Sequence, residues 1–283
     1  MRLLRSALDK LHDDGVRGLV AAIRSSGHRE IHLSLHNLLL KLPPDWIMRS
    51  VRFRSTVFPW RYTDADPFKI IYADPSTITH YSELTRPIRW GRVIGGEWDT
   101  DYRQFTQREI VLGVYELIEH DDEERLRSAI ADRLKRTHRD VWGYESVEKV
   151  DDRLQDVKGL IDSIESNGYR RQTELETAEN HWRGTHYYPD RLNEVTVNIG
   201  RDGTFYYVYC GQHRLAIAQA LDIERIPVLV SARHEGWQQI RDSIRMAESL
   251  DEVPASARQH INHPDVQDLD FVENIGTGGS SVL

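Results

Sequence analysis

The chain has 283 residues, 39% of them hydrophobic and 29% charged, with a formal net charge of -8. That length allows a sizeable core, and that charge argues against an extended nucleic-acid surface while leaving room for a local basic site. Seven Trp and twelve Tyr exclude general disorder, and Cys210, the single cysteine, excludes an intrachain disulfide and a cysteine-built zinc site. No apolar run approaches the about 20 residues of a spanning helix and no signal-peptide core stands at the N-terminus, so the chain is expected in the cytoplasm with no membrane span.

From the N-terminus, residues 2 to 25 carry apolar positions at helical spacing (Leu4, Leu8, Leu11, then Val16, Leu19, Val20, Ile23). A second apolar cluster over 33 to 42 ends at Pro43-Pro44. From Val51 to Trp98 the chain turns aromatic, with short strands expected over 68 to 72 and 88 to 94. Asp74-Pro75-Ser76 between them reads as a turn and helix start. The following Gly95-Gly96-Glu97-Trp98-Asp99 is less ordinary: two glycines permit a close backbone approach, and two carboxylates flank an aromatic ring. A glycine hairpin with solvated acids is the plainer reading of the same residues.

Helices are expected over 106 to 119, 123 to 138 and 156 to 166, the last closed by Asn167-Gly168. The stretch from Trp142 to Val150 reads as a linker, and the loop around His181 to Asp190 offers Arg183 and His186 as substrate contacts. Two strands, 196 to 199 and 205 to 209, then form a hairpin around Gly200-Arg201-Asp202-Gly203. A helix is expected from Gln212 to Leu221, a buried strand over 226 to 230, and a further helix from 237 to about 250. In the turn between strand and helix, Gly211 frees the first N–H groups of the helix to face an anion. His213 and Arg214 are cations where the helix dipole prefers negative charge, which points to a bound anion; a solvent-exposed arginine beside a satisfied histidine is the alternative.

Strand, Gly-x-His-Arg, alanine-containing helix, then Ile226-Pro227-Val228 resembles the signature of the ParB/sulfiredoxin superfamily, and Gly168 and Gln172 match its upstream pattern. The resemblance covers about residues 151 to 235. It implies an α/β (α+β) fold, a small mixed sheet with packed helices, in which Gln172, Gly211, Gln212, His213 and Arg214 hold nucleotide phosphates. The expected organisation is a helical extension over 1 to 60, an aromatic-rich segment with helices over 61 to 150, the nucleotide-binding domain over 151 to 250, and a flexible tail over 251 to 283.

Three activities within that superfamily are distinguishable here. Sulfiredoxin chemistry needs a cysteine where this chain has Gln212, and partition proteins carry a helix-turn-helix domain after the nucleotide module, for which little chain follows Val230. The small-molecule kinase branch fits best: ATP or another nucleoside phosphate with Mg²⁺ in the turn, and a carboxylate activating a hydroxyl acceptor such as a sugar. The catalytic candidates are Glu97, Asp99, Glu194 and Asp202. The alternatives are a non-catalytic nucleotide-binding regulator and a ParB-like nuclease or DNA-binding protein.

Overall fold

A computed structural model describes residues 44–82, 89–137, 150–175, 192–208 and 210–269. The expected helices within 2 to 42, the 142 to 149 linker, the 181 to 190 loop with Arg183 and His186, and the strand end at Tyr209 lie outside the described residues. The chain divides into two compact units, Met1–Val51 and Arg52–Leu283. Of the first, only the opening of helix α1 (Pro44–Val57) is described. Pro44 and Asp45 open that helix, proline with its φ already helical and no N–H to satisfy, aspartate suiting the dipole.

The second unit is a mixed α/β structure around an open, mixed sheet. Along the chain come β1 (Ile70–Ala73), β2 (His80–Ser82), β3 (Arg92–Ile94), β4 (Tyr102–Gln104), α2 (Glu109–His120), α3 (Glu124–Thr137), α4 (Val150–Asn167) and α5 (Gln172–Leu175). There follow β5 (Val195–Ile199), β6 (Phe205–Tyr207), α6 (Gln212–Ala220), β7 (Ile226–His234), α7 (Glu235–Met246) and α8 (Ala255–Arg258). Among the described residues seven strands share one sheet, ordered β1-β7-β5-β6-β2-β4, with β3 also paired to β7. The nine buried residues of β7 take β1 antiparallel along their first half and β3 parallel along their last three. On the other side β5 runs parallel to β7 with a register shift between Val197 and Ile199. The Asn198 side chain accepts from the Ala232 N–H there, 3.1 Å, so the irregularity leaves that donor satisfied.

The helices pack their apolar stripes on this sheet: Val111 and Val114 of α2, Leu126 of α3, Leu154 and Val157 of α4, and Leu215 to Ala218 of α6 join Val195, Val197 and Val228 in one core. Among the described residues no helix is long and apolar enough to cross a membrane. The expected helices appear with shifted ends, α4 starting at Val150 instead of 156. β2 and β4 were not expected, because strands of three residues, one of them exposed throughout, carry no apolar alternation. The tail expected from 251 instead packs as far as Leu269, burying Val253, Ala257, Asp265 and Val266. Strands β1 to β4, from the aromatic-rich segment, complete the same sheet as β5 to β7.

Candidate functional site

The site is built outward from Gly211. Its φ of +80° is left-handed, and a Cβ there would lie 2.7 Å from Val195 Cγ2 and 2.9 Å from Val195 Cα, so backbone angle and space both demand glycine. With Gly211 as N-cap, α6 starts without a side-chain cap, and its first turn carries Gln212, His213 and Arg214. These N–H groups are the ordinary unsatisfied donors of a helix start.

Two further helices begin at the same place. Arg108, the N-cap of α2, donates through Nη2 to Gln212 Oε1 at 3.1 Å, and seven residues on in each helix Tyr115 donates to Gln219 Oε1 at 2.7 Å. Equal spacing along both chains means that α2 and α6 run parallel, N-terminus beside N-terminus. The α3 helix returns from α2 after a left-handed Asp121, and its ion pairs Glu123–Lys158 and Arg127–Asp151 run in opposite order along α4. Thus α4 is antiparallel to α3 and points the same way as α2 and α6.

Each of these ends presents an arginine. His213 is half-buried, and its imidazole pKa is pushed down to about 3, first by desolvation and then by Arg133, Arg153, Arg214 and Arg108. Those four guanidiniums come from α3, α4, α6 and the start of α2. Arg108 lies over the rings of Tyr81 and Tyr207, 4.9 and 5.7 Å from their centroids, and Tyr207's hydroxyl pKa is pushed up to about 12 by its burial. Arg153 also donates to Asp156 at 3.0 Å. Arg108, Arg153 and Arg214 lie at helix starts, where the macrodipole favours negative charge, whereas Arg133 lies near the C-terminal end of α3, where a cation suits the dipole.

Beneath the turn, Arg214 is neither solvent-exposed nor a free clamp. It is 4% exposed, donates to the Asn193 carbonyl, and lies 3.3 Å from Glu194, itself 1% exposed. Glu194 also accepts from the Gln172 N–H at 2.8 Å; burial raises its carboxyl pKa while Arg214 pulls it down. Gln172, Glu194, Gly211, Gln212, His213 and Arg214 therefore come together.

Glu97, Asp99 and Asp202 do not join them. Val195, at the start of β5, packs under Gly211, whereas Asp99 lies against Gly200 and Arg201 past the end of that strand, five residues on or about 16 Å. There Asp99 accepts from the Arg201 N–H (2.8 Å) and guanidinium (2.7 and 2.9 Å), and exposed Glu97 accepts from the same guanidinium at 2.8 Å. Gly95 makes room for α7, since a Cβ there would strike the Glu235 carboxylate, whereas Gly96 is left-handed at φ +91° with open space around it, and its O accepts from His234 Nε2 at 2.8 Å. His234 Nδ1 accepts the Gly236 N–H, so the ring carries its proton on Nε2 and caps α7. Trp98 Nε1 donates to Ile94 O. The close approach expected from the glycines is thus to the protein's own helix, and the Glu97–Asp99 element is a clasp. Asp202 accepts from the Thr204 N–H at 3.0 Å inside the hairpin turn.

Arg108, Arg133 and Arg153 escaped the sequence reading. One signal for Arg108 was available: an arginine stands immediately before Glu109, where a helix start ordinarily takes Ser, Thr, Asp or Asn. Among the described residues no group of three His, Cys, Asp or Glu side chains is placed to hold a metal, and the donors around the turn are guanidiniums with one carboxylate tied to Arg214. That set does not fit Mg²⁺, and no step is routed through it. No family model matches the chain, and neither a curated protein nor a solved structure is similar to it.

Proposed function

We propose that this chain binds a nucleoside phosphate through the Gly211–Arg214 turn and acts as a nucleotide-binding regulator. The observation that carries the reading is the meeting of the uncapped α6 N-terminus with arginines from three other elements around His213. The order strand, glycine, helix, strand supports a ParB/sulfiredoxin-like nucleotide module. Phosphoryl transfer needs a base within hydrogen-bond or one-water reach of its acceptor. Three of the four carboxylate candidates belong to the other end of β5, two of them tied to Arg201. Glu194 alone lies at the turn, and its raised pKa favours a second reading, transfer from ATP to a small-molecule hydroxyl such as a sugar, with Glu194 as base.

Thermal unfolding with and without ADP or ATP tests the first reading. A ligand that binds the folded state alone stabilises it by about 2.7 kcal/mol at a hundred times its Kd. Gly211→Ala should fold with a lowered midpoint and lose the ligand-induced rise. A full rise in Gly211→Ala, or none in the unmodified chain, contradicts the proposal. Phosphorylated product from ATP and a sugar panel, absent in Glu194→Gln, would favour the second reading.

A further inference from the structure

We infer that the half-buried guanidiniums of Arg89 and Arg92 form a second anion site, separate from the α6 turn, and that it takes a dianionic phosphate group, free or as a monoester. The site lies on the edge of β7 where β3 joins its last three residues, and it does not draw on the reading of the α6 turn.

The backbone fixes both arginines. The Arg89 N–H donates to the Oγ of buried Ser231 at 2.9 Å, and Arg92 pairs with Ala232, the next residue of β7. Between them the chain turns tightly, the Arg92 N–H donating to the Arg89 carbonyl at 2.8 Å around Gly91 at φ +71°. A Cβ on Gly91 would lie 2.7 Å from Pro67 Cβ, so angle and space both hold this turn to glycine. The Arg92 guanidinium lies 5.2 Å from the ring centroid of Tyr62, its partner in an isolated bridge, which orients it before any ligand arrives.

No carboxylate answers these two cations. Arg201, Arg214, Arg233 and Arg241 each meet an acid. Arg89 and Arg92 form no ion pair among the described residues, and the Nε of each is buried without a hydrogen-bond partner. The loop that passes the site, where the Thr63 N–H donates to Gly91 O, carries Asp64 and Asp66, but Asp64 is held by Arg241 and Gln238 and Asp66 by Arg52. Burial, and after it the charge of Arg92, push the Arg89 guanidinium pKa down, as expected of like charges standing close together.

An unmade donor on a partly buried charge is costly, and a second cation beside it adds repulsion. A phosphate oxygen satisfies an Nε–H in charge-assisted geometry. Two guanidiniums match a phosphate of about -1.5 to -2, whereas a single carboxylate would leave one of them uncompensated.

Isothermal titration of the full chain with orthophosphate, glycerol phosphate and acetate tests this, beside Arg89→Met and Arg92→Lys. Phosphate is expected to bind here at least tenfold more tightly than acetate, and the tighter of orthophosphate and glycerol phosphate identifies the source of the group. Arg89→Met should weaken it at least tenfold. Arg92→Lys, which keeps the charge and loses the planar fork, should weaken it severalfold and carries the test should Arg89→Met fail to fold. Gly211→Ala should leave this phosphate in place, and the midpoint rise with ADP should persist in Arg89→Met, so the two sites are told apart. No phosphate bound, phosphate affinity unchanged in both arginine variants, or acetate bound as tightly as phosphate overturns the inference.

Discussion

Arginine does opposite work at the two ends of this sheet. Beyond β5 and along β7 three guanidiniums, two of them buried, have carboxylates to match. Arg201 holds Asp99 and Glu97; Arg233 holds Asp265; and Arg241 reaches Asp64 at 2.8 Å and Asp268 at 2.8 Å. These networks tie the clasp to the hairpin and the 264–269 segment to the sheet. At the start of β5, Glu194 answers Arg214 and Asp156 answers Arg153, and the half-buried His213 beside them is held neutral. Matched charge holds the first region together, and the proposed anion site rests on the helix start at the second.

The largest effect that separates the two regions is expected at Asp265, fully buried between Arg233 and Arg241 and bonded by Trp237 Nε1 at 2.9 Å. Asp265→Asn strands the buried Arg233 guanidinium, while Arg241 keeps Asp64 and Asp268, and should cost about 3–5 kcal/mol in urea unfolding, with nucleotide affinity of the folded fraction unchanged. A loss under about 1 kcal/mol would deny that network its structural role.

An intermediate effect is expected in pH dependence. His213, ordinarily titrating near 6.5, is pushed down to about 3, so between those values the unfolded chain takes a proton that the folded chain refuses. Stability should therefore rise with pH from about 3 to 6.5, and His213→Gln should flatten part of that rise. His263, pushed down to about 4 by burial, keeps the remainder. Asp99 and Asp265 titrate below their ordinary 3.8, so their stabilisation is present above that value and lost as pH falls through the folded values. An unaltered profile in His213→Gln would place the charge cluster elsewhere.

The smallest effect is expected at Glu97, whose side chain is 73% exposed beside a guanidinium that Asp99 already holds. Glu97→Gln should change stability by less than about 1 kcal/mol and leave nucleotide binding untouched. A tenfold loss of affinity would return the clasp to the site.

The part of this contrast legible in the sequence was the local part. Gly211 announced the helix start at Gln212, and periodicity announced the helices that pack over it. Partnership across the chain was not legible. Glu97 and Asp99 looked as available as any pair of acids, because the guanidinium that claims them lies about a hundred residues away, on Arg201. Arg214 looked like a clamp until Glu194 was found under it. Arg108, Arg133 and Arg153 meet only because α3 reverses and α4 reverses again, a register that helical spacing alone does not encode.

Hydrogen exchange with and without saturating ADP tests the central claim most directly, since each region reports through its own amides. Protection is expected over 211 to 216 and at the first turns of α2 and α4, with residues 95 to 99 and 200 to 203 unchanged. Protection confined to the clasp and the hairpin, or absent from the α6 turn, would contradict it.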